Sequence, residues 1–306
     1  MSATSGQWAP IALFIYKRPE HARRTIASLK ACPGFAESPL YVFADGARTR
    51  ADLPAVQATR AAARELLGPR AVFVERDQNL GLANSIIAGT TELCRRHGRV
   101  VVVEDDLVVA PQFLPFLNEG LDAYEDQPGV MQVAGHMFAV PSLADTQEAL
   151  LLPMTTSWGW ATWKRAWDLF DPDATGWRER LNADVEIKRF NLDGSYDYYR
   201  MLKRQMSGDI DSWAIRWHYT VFANDGLTLF PPRTLVVNAG LDGSGTHDRL
   251  AMPAHQAGLE TGPPFNLPDE IAESRQKAFV FEAIRTFRPS SARQRLLALA
   301  KTAFRR

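Results

Sequence analysis

The sequence predicts an α/β protein with a mostly parallel central sheet flanked by helices. Three observations carry that prediction. Short apolar runs alternate with helical patterns through the first half of the chain, which is the signature of strands laid side by side with helices crossing over them. One run, Val100-Val101-Val102-Val103, is apolar at every position, as a strand covered on both faces must be. The 306 residues, 46% hydrophobic and 23% charged, have the profile of an ordinary globular protein, large enough for one big domain or two merged ones.

In chain order, Ile11 to Tyr16 reads as the first strand, about Pro19 to Ala31 as a helix, and Leu40 to Ala44 as the second strand. A helix from roughly Ala55 to Leu67, a strand at Ala71 to Val74 and a helix from about Leu82 to His97 lead to Val100–Val103. Beyond it come a helix at Pro111 to Glu125 and a strand at Val130 to Ala134. From 151 to 250 the pattern loosens into Trp-rich segments, an acidic helix and a Pro231-Pro232 turn. Residues 256 to 290 are proline-spaced and partly helical, and 291 to 306 form a separate basic helical candidate.

Charge and cysteine content narrow the function classes. The 35 basic and 35 acidic residues cancel, so no global field draws the chain onto nucleic acid or an anionic membrane, and an anionic ligand must be held by local groups. Cys32 and Cys94 stand far apart without neighbours at ligand spacing, against a disulfide framework or a structural zinc. Met1 to Pro10 has neither the basic start nor the apolar run of a leader, and no stretch approaches the ~20 apolar residues of a bilayer span. A cytoplasmic location is the expectation.

The strongest chemical signal is Glu104-Asp105-Asp106, three carboxylates leaving an apolar strand. They repel one another and lose hydration, so a positive group must compensate, and a divalent cation is the natural one. Ligands of open parallel sheets bind beyond the carboxyl ends of the strands, where this triplet sits. Mn²⁺ or Mg²⁺ held by one or two carboxylates keeps positions open for phosphate oxygens. If the chain stays extended, Glu104 and Asp106 leave on one face and Asp105 on the other, free to fix a neighbouring group. An acidic loop capping the helix near Pro111 is the plainer alternative.

Other strand ends converge on the same edge. Lys17 and Arg18 follow the first strand near a prospective phosphate or base. Asp45, before Gly46, could accept from a nucleobase or ribose, and Asn79-Leu80-Gly81 suits a turn into the next helix on the nucleotide side. Each is individually explained by a common turn or a local ion pair. Downstream, Asp209 and Asp211 precede the helical stretch that opens at Trp213; one of them could cap that helix, and Asp211 could act as a general base toward an acceptor hydroxyl. The run Asn238 to His247 is Gly-rich, and His247 could add a neutral metal ligand, unless it is simply solvated. Trp158-Gly159-Trp160 leads into a predicted helix that places Trp160, Trp163 and Trp167 on one face, as core or as a wall for a donor or acceptor sugar. His136 reads as structural.

On these residues the chain resembles GT-A glycosyltransferases, especially the N-acetylglucosaminyltransferase I-like group and its bacterial family 2-like sugar-transferase relatives. The resemblance runs from about Ile11 to His247 with gaps, through Glu104-Asp105-Asp106-Leu107 with Ala110-Pro111, Ser157-Trp158-Gly159-Trp160, and Asp211-Ser212-Trp213. It implies the GT-A (nucleotide-diphospho-sugar transferase) fold. Residues 1–150 would form the nucleotide-sugar-binding half, 151–255 the acceptor-binding half of the same domain, and 256–306 a C-terminal helical extension. Asp106 would be the main Mn²⁺ ligand, with His247 on a late loop closing over the donor. Glu104 would contact the nucleotide, Arg18 and Asp45 would lie at the uridine diphosphate, and Asp211 would be the base of an inverting reaction. Asn79 and Asp105 fall on the donor side, and Trp158, Gly159, Trp160, Asp209 and Trp213 on the sugar side.

The implied activity is transfer of a hexosyl or N-acetylhexosaminyl group from a UDP-sugar to a glycan or lipid-linked acceptor, in surface polysaccharide or glycoconjugate synthesis. The eukaryotic enzymes carry an N-terminal anchor and stem, neither of which is expected here, and the acceptor side differs outside the motifs. Two rivals are a sugar nucleotidyltransferase, disfavoured because Tyr16-Lys17-Arg18-Pro19 replaces a Gly-rich basic loop, and a non-catalytic nucleotide-sugar or carbohydrate-binding relative. Residues 291–306, with Leu297, Ala300 and Phe304 on one face and Arg or Lys flanking them, could rest on the inner face of a membrane where lipid-linked acceptors are presented.

Overall fold

Val100 to Val103 belong to a strand, β4 (Arg99–Glu104), that lies inside an eight-stranded sheet in the computed structural model, which describes residues 7–240, 259, 262 and 264–287. The preceding strands are β1 (Ile11–Ile15), β2 (Leu40–Ala44) and β3 (Ala71–Glu75). They pair in parallel in the order β3-β2-β1-β4, with Ile11 opposite both Leu40 and Val101. The crossovers are α1 (Pro19–Lys30), α2 (Leu53–Leu67) and α3 (Leu82–His97). Each follows from its sequence: Pro19 sits in the first turn of α1, where a missing N–H costs nothing, and α3 ends at Gly98, whose left-handed conformation lets its N–H reach the Cys94 carbonyl.

Period-two alternation sorts the strand side chains into two cores. Ile11, Leu13, Val101 and Val103 pack with Ile26 and Leu29 of α1 and with Phe113 and Leu117 of α4 (Phe113–Ala123). Ala12, Phe14, Val100 and Val102 face the opposite way, onto Ile86 and Leu93 of α3 and Trp213 and Trp217 of the helix at Trp213–Ala223.

The rest of the sheet is mixed. β5 (Leu107–Val109) leaves it, β6 (Val130–Ala134) rejoins it, and β7 (Leu150–Leu152), β8 (Trp160–Trp163) and β9 (Leu227–Phe230) complete the order β4-β8-β6-β9-β7. β7 and β8 run against the other six strands. The segment expected to place Trp160, Trp163 and Trp167 along one helical face is therefore a strand up to Trp163. Three-residue spacing, which aligns side chains on a helix, sends Trp160 and Trp163 to opposite faces of a strand. Trp160 enters the core with Trp213 and Trp217, and Trp163 packs on the other face, its Nε1 donating to the Leu121 carbonyl at 2.9 Å.

Between β8 and β9 lie α5 (Lys164–Trp167), α6 (Trp177–Arg180), α7 (Asp184–Phe190), α8 (Tyr198–Met206) and α9 (Trp213–Ala223). Phe190, Leu202, Ile215 and Tyr219 form a third core among them. β10 (Val236–Asn238) pairs antiparallel with β5, and α10 (Lys277–Phe287) packs Val280, Phe281 and Ile284 over the β7 edge. Cys32 and Cys94 are buried free thiols, and burial pushes their pKa values to about 11 and about 12. Among the described residues no helix is long and apolar enough to cross a membrane.

Candidate functional site

Glu104 is the last residue of β4, level with Phe14 of β1, and by alternation its side chain leaves on the α3 and α9 face. The extended chain ends there. Asp105 and Asp106 form a turn into β5, so the expected alternation through the whole triplet is broken after its first member. Asp105 is turned toward α1: its Oδ2 accepts from the Tyr16 amide at 2.9 Å, and its carbonyl accepts from Thr25 Oγ1 at 2.7 Å. Asp106 Oδ2 lies 3.1 Å from Arg18 Nη1, each side chain about one-fifth exposed (21% and 19%).

The β5–β10 ribbon lays a second backbone against this pair. Leu107 is in register with Asn238, and Ala239 N donates to the Asp106 carbonyl at 2.7 Å. A Cβ on Gly240 would fall 2.3 Å from Asp106 Oδ2 and 2.7 Å from Arg18 Nη1. The start of the Gly-rich segment thus lies on the Arg18–Asp106 pair, and a side chain there would have to push the ends of that pair aside. His21 Nε2 lies 3.3 Å from the Ala239 carbonyl. His247 and most of the Asn238–His247 run are outside the described residues.

Electrostatically the cluster is crowded with negative charge in a buried setting. Burial, and then the charges of Asp106 and Asp105, raise the pKa of Glu104 well above the carboxylate range, with Arg18 opposing. Burial and Asp106 raise Asp105 to about 7 against the hydrogen bond from Tyr16 and the charge of Arg18. Among the described residues no group of three or more His, Cys, Asp or Glu side chains is arranged as a metal cage. The donor chemistry nonetheless suits Mn²⁺ or Mg²⁺, which need few protein oxygens when phosphate oxygens complete the shell, and a dication at Glu104 and Asp106 would relieve the repulsion that raises both neighbouring pKa values.

Asp45 and Asn79 come together one strand away, in a different role from the one expected. Asp45 Oδ1 accepts from the amides of Gly46 and Leu80 at 3.0 and 2.9 Å, and Oδ2 from Asn79 Nδ2 and Gly81 N at 2.9 and 3.1 Å. Four donors fill a carboxylate, so Asp45 has no acceptor position left for a base or ribose. It clamps the 79–81 turn onto β2, and Asn79 also donates to the Gly46 carbonyl at 2.9 Å. Lys17 is likewise engaged, paired with Asp52 at 2.7 Å, an interaction that holds the Asp52 carboxyl below its ordinary range.

On the sugar side, Ser212 is the N-cap of α9, accepting from Ile215 N at 3.4 Å, so the capping role does not fall to Asp209 or Asp211. Both aspartates are exposed, and Asp211 pairs with Arg216 Nη2 at 3.2 Å. The helix before a forward-running strand starts at that strand's far edge. Asp211 therefore lies at the same sheet edge as the triplet, on the face toward which Glu104 points. Trp160 and Trp213 are core residues stacked 5.1 Å apart and cannot wall a sugar. Gly159 is the turn into β8, with φ at +61° and the Phe113 ring 2.8 Å from where its Cβ would be. Trp158 alone of these is partly exposed; its ring lies 4.5 Å from that of buried His136, whose Nδ1 is 3.1 Å from Thr234 Oγ1.

Residues that sequence reasoning passed over are Tyr16, Thr25 and Gly240. The first two act through a backbone amide and a helix-face hydroxyl, for which the sequence has no distinctive pattern. Gly240 was legible only as one of several glycines in its run.

No family model and no curated protein matches the sequence. Among solved structures, the chain is similar to the mannosyltransferase PcManGT from Pyrobaculum calidifontis in complex with GDP-Man and Mn²⁺, with a TM-score of 0.39, 14% identity and coverage of 71% of this chain and 69% of that one. It is also similar to mannose-1-phosphate geranyltransferase from Thermus thermophilus (TM-score 0.38, 13% identity, 76% of each chain). A third is glucosyl-3-phosphoglycerate synthase from Mycobacterium tuberculosis with Mn²⁺, UDP and glucosyl-3-phosphoglycerate (TM-score 0.32, 17% identity, 53% of this chain and 58% of that one). At these values the role of each residue rests on the geometry of the site itself.

Proposed function

We propose that the chain is a metal-dependent glycosyltransferase of the GT-A type, moving a sugar from a nucleoside-diphosphate donor, UDP-linked by preference, to a glycan or lipid-linked acceptor hydroxyl with inversion. The observation that carries the reading is the carboxylate cluster at the end of β4, closed by Arg18 on one side and the Gly240 backbone on the other. Glu104 and Asp106 would hold Mn²⁺ or Mg²⁺. Bound there, the metal would supply Lewis-acid neutralisation of the departing diphosphate.

The chain's own residues account for the rest. Arg18 stabilises the diphosphate as the anomeric carbon–oxygen bond breaks and its charge grows, an interaction stronger in the transition state than in the ground state. Asp105, fixed by Tyr16 and Thr25, holds the turn so that Asp106 stays aimed at Arg18. The Asp45 clamp shapes the neighbouring loop for the nucleoside. Asp211 takes the acceptor proton while that oxygen attacks the anomeric carbon from the face opposite the diphosphate. Residues 1–150 then serve mainly the donor and 151–255 the acceptor. The basic sequence 291–306, outside the described residues, would bring a cytoplasmic enzyme to the inner membrane face, and unchanged liposome flotation after its deletion would end that part of the proposal.

Release of free nucleoside diphosphate from a panel of nucleotide sugars, with Mn²⁺ and with chelator, tests the whole reading. Metal-dependent release is expected for at least one donor. Binding without release would identify a non-catalytic relative, and pyrophosphate exchange would identify a nucleotidyltransferase.

A further inference from the structure

Away from the carboxylate cluster, α6, α7 and α8 enclose an open cleft of about 460 Å³ whose chemistry differs from the donor side. Trp177, Arg178, Leu181, Tyr199, Lys203 and Ser207 contribute to its wall, and among the described residues no lining side chain is acidic. Its two cations each rest on an aromatic face. The Arg178 guanidinium lies 4.5 Å from the centroid of buried Trp177, and Lys203 Nζ lies 4.6 Å from that of Tyr199. Neither is paired with a carboxylate among the described residues, whereas nearby Arg180 and Arg189 are both paired with Glu186. An aromatic face orients a cation while leaving its outward donors unused, and a guanidinium on indole is weakly hydrated and ready to form a forked bond. Two such cations facing one cleft with no counter-charge present an anion site.

The cleft is tied to the candidate base. Ser207, at the end of α8, is four residues from Asp211, a span of at most ~14 Å even if fully extended. The intervening turn is held closer than that, since Asp209 N donates to the Arg204 carbonyl at 2.9 Å and Ser212 N to Gln205 Oε1 at 2.6 Å. A saccharide with one hydroxyl at Asp211 and an anionic group further along can therefore place that group between Arg178 and Lys203.

We propose that this cleft is the acceptor subsite and that it selects an anionic saccharide, one bearing a carboxylate or a phosphate. The assignment of the cleft to the acceptor rests on the transferase reading above; anion selectivity does not. Arg178 supplies the forked contact and Lys203 the point charge, above an apolar floor of Trp177 and Leu181.

Titration of the full-length protein, with neither donor nor metal, by a uronic-acid disaccharide, a hexose monophosphate and a neutral disaccharide tests this by calorimetry and ligand-observed NMR. At least one anionic ligand should bind more tightly than the neutral one, and the two anionic arms show whether carboxylate or phosphate is preferred. R178Q/K203Q, both exposed positions, should weaken that binding about tenfold or more, the worth of a lost charge-assisted hydrogen bond, while leaving the melting temperature and any Mn²⁺-dependent nucleotide-sugar binding unchanged. Equal binding of the neutral disaccharide, no binding by any of the three, or full affinity in R178Q/K203Q would overturn the proposal. Failure of the transferase reading shows separately, as absence of nucleoside diphosphate release with the cleft still titrating.

Discussion

Gly240 lies against Asp106 so closely that a single methyl group on it would come within 2.3 Å of the Asp106 Oδ2 and 2.7 Å of Arg18 Nη1. A backbone separated from the triplet by more than 130 residues of chain is thus part of the site, brought there by the β5–β10 ribbon.

Gly240→Ala should therefore act on binding rather than on folding. The atoms in the way are the ends of two side chains, which can turn aside, but in doing so they break the Arg18–Asp106 pair. We expect a melting temperature close to that of the native protein and about tenfold weaker nucleotide-sugar binding in Mn²⁺, ~1.4 kcal/mol. Thermal shift with and without donor measures both, and unchanged donor affinity would remove Gly240 from the site.

Asp106→Asn should abolish the Mn²⁺-induced thermal shift and metal-dependent donor turnover. It should also lower the proton affinity of Glu104 and Asp105, because Asp106 is a source of the repulsion that raises both. In the native protein, with Asp105 raised to about 7 from an unfolded value near 3.8, the folded state holds the extra proton. That group favours folding below the unfolded value and loses its contribution as pH rises through the folded one. Protons on the cluster and a bound cation therefore oppose each other, and Mn²⁺ affinity should fall as the pH is lowered and the raised carboxyls take up protons. An affinity that stays constant within ~0.3 kcal/mol from about pH 7.5 to about 5.5 would contradict this.

Asp45→Asn separates a clamp from a ligand contact. The amide replaces one acceptor oxygen by a donor facing either the Gly46 and Leu80 amides or Asn79 Nδ2 and Gly81 N. Loss of charge-assisted bonds and the new clash of donors should cost about 2–4 kcal/mol of stability in the absence of any ligand. Urea denaturation reads this directly. A variant as stable as the native protein but poor in donor binding would restore the direct nucleoside contact.

His218 sets an acid limit on the fold. It is buried against Tyr198 and Phe190, their rings 4.0 and 4.9 Å away, and burial pushes its pKa down to about 4 from 6.5. Its folded pKa is depressed, so its contribution is complete above the unfolded value and is lost as pH falls from ~6.5 to ~4, where the unfolded chain takes the proton and the folded one refuses it. The loss amounts to ~3 kcal/mol. His218→Gln should flatten the stability profile over that window, at the price of a lower plateau near neutrality.

Asp211→Asn should spare donor and metal binding and remove sugar transfer. Arg216 Nη2 and the Asp211 side chain are 3.2 Å apart, and the amide retains an oxygen for that contact, so the α9 N-terminus should stay in place. Native rates of transfer in this variant would exclude Asp211 as the base.

What could be read from the sequence was whatever depends on near neighbours. The β1-α1-β2-α2-β3-α3-β4 succession was legible because strand and helix periods are local, and because Val100–Val103 has no polar position to face water. The charge anomaly at Glu104–Asp106 was legible for the same reason: burial of the strand and the adjacency of three acids are both written in consecutive residues. Tertiary structure decided everything that depends on partners distant in sequence. The spacing of Trp160 and Trp163 fits a helix in isolation, and only the gap between β4 and β6, which an antiparallel strand fills, makes it β8. Asp45 looked free to bind a nucleoside until the 79–81 turn closed on it with three donors. Gly240 acquired its role only when residues 236–238 paired with 107–109. Short-range patterns record the cost of burying a residue, whereas a site made by two distant backbones meeting is recorded in neither segment alone.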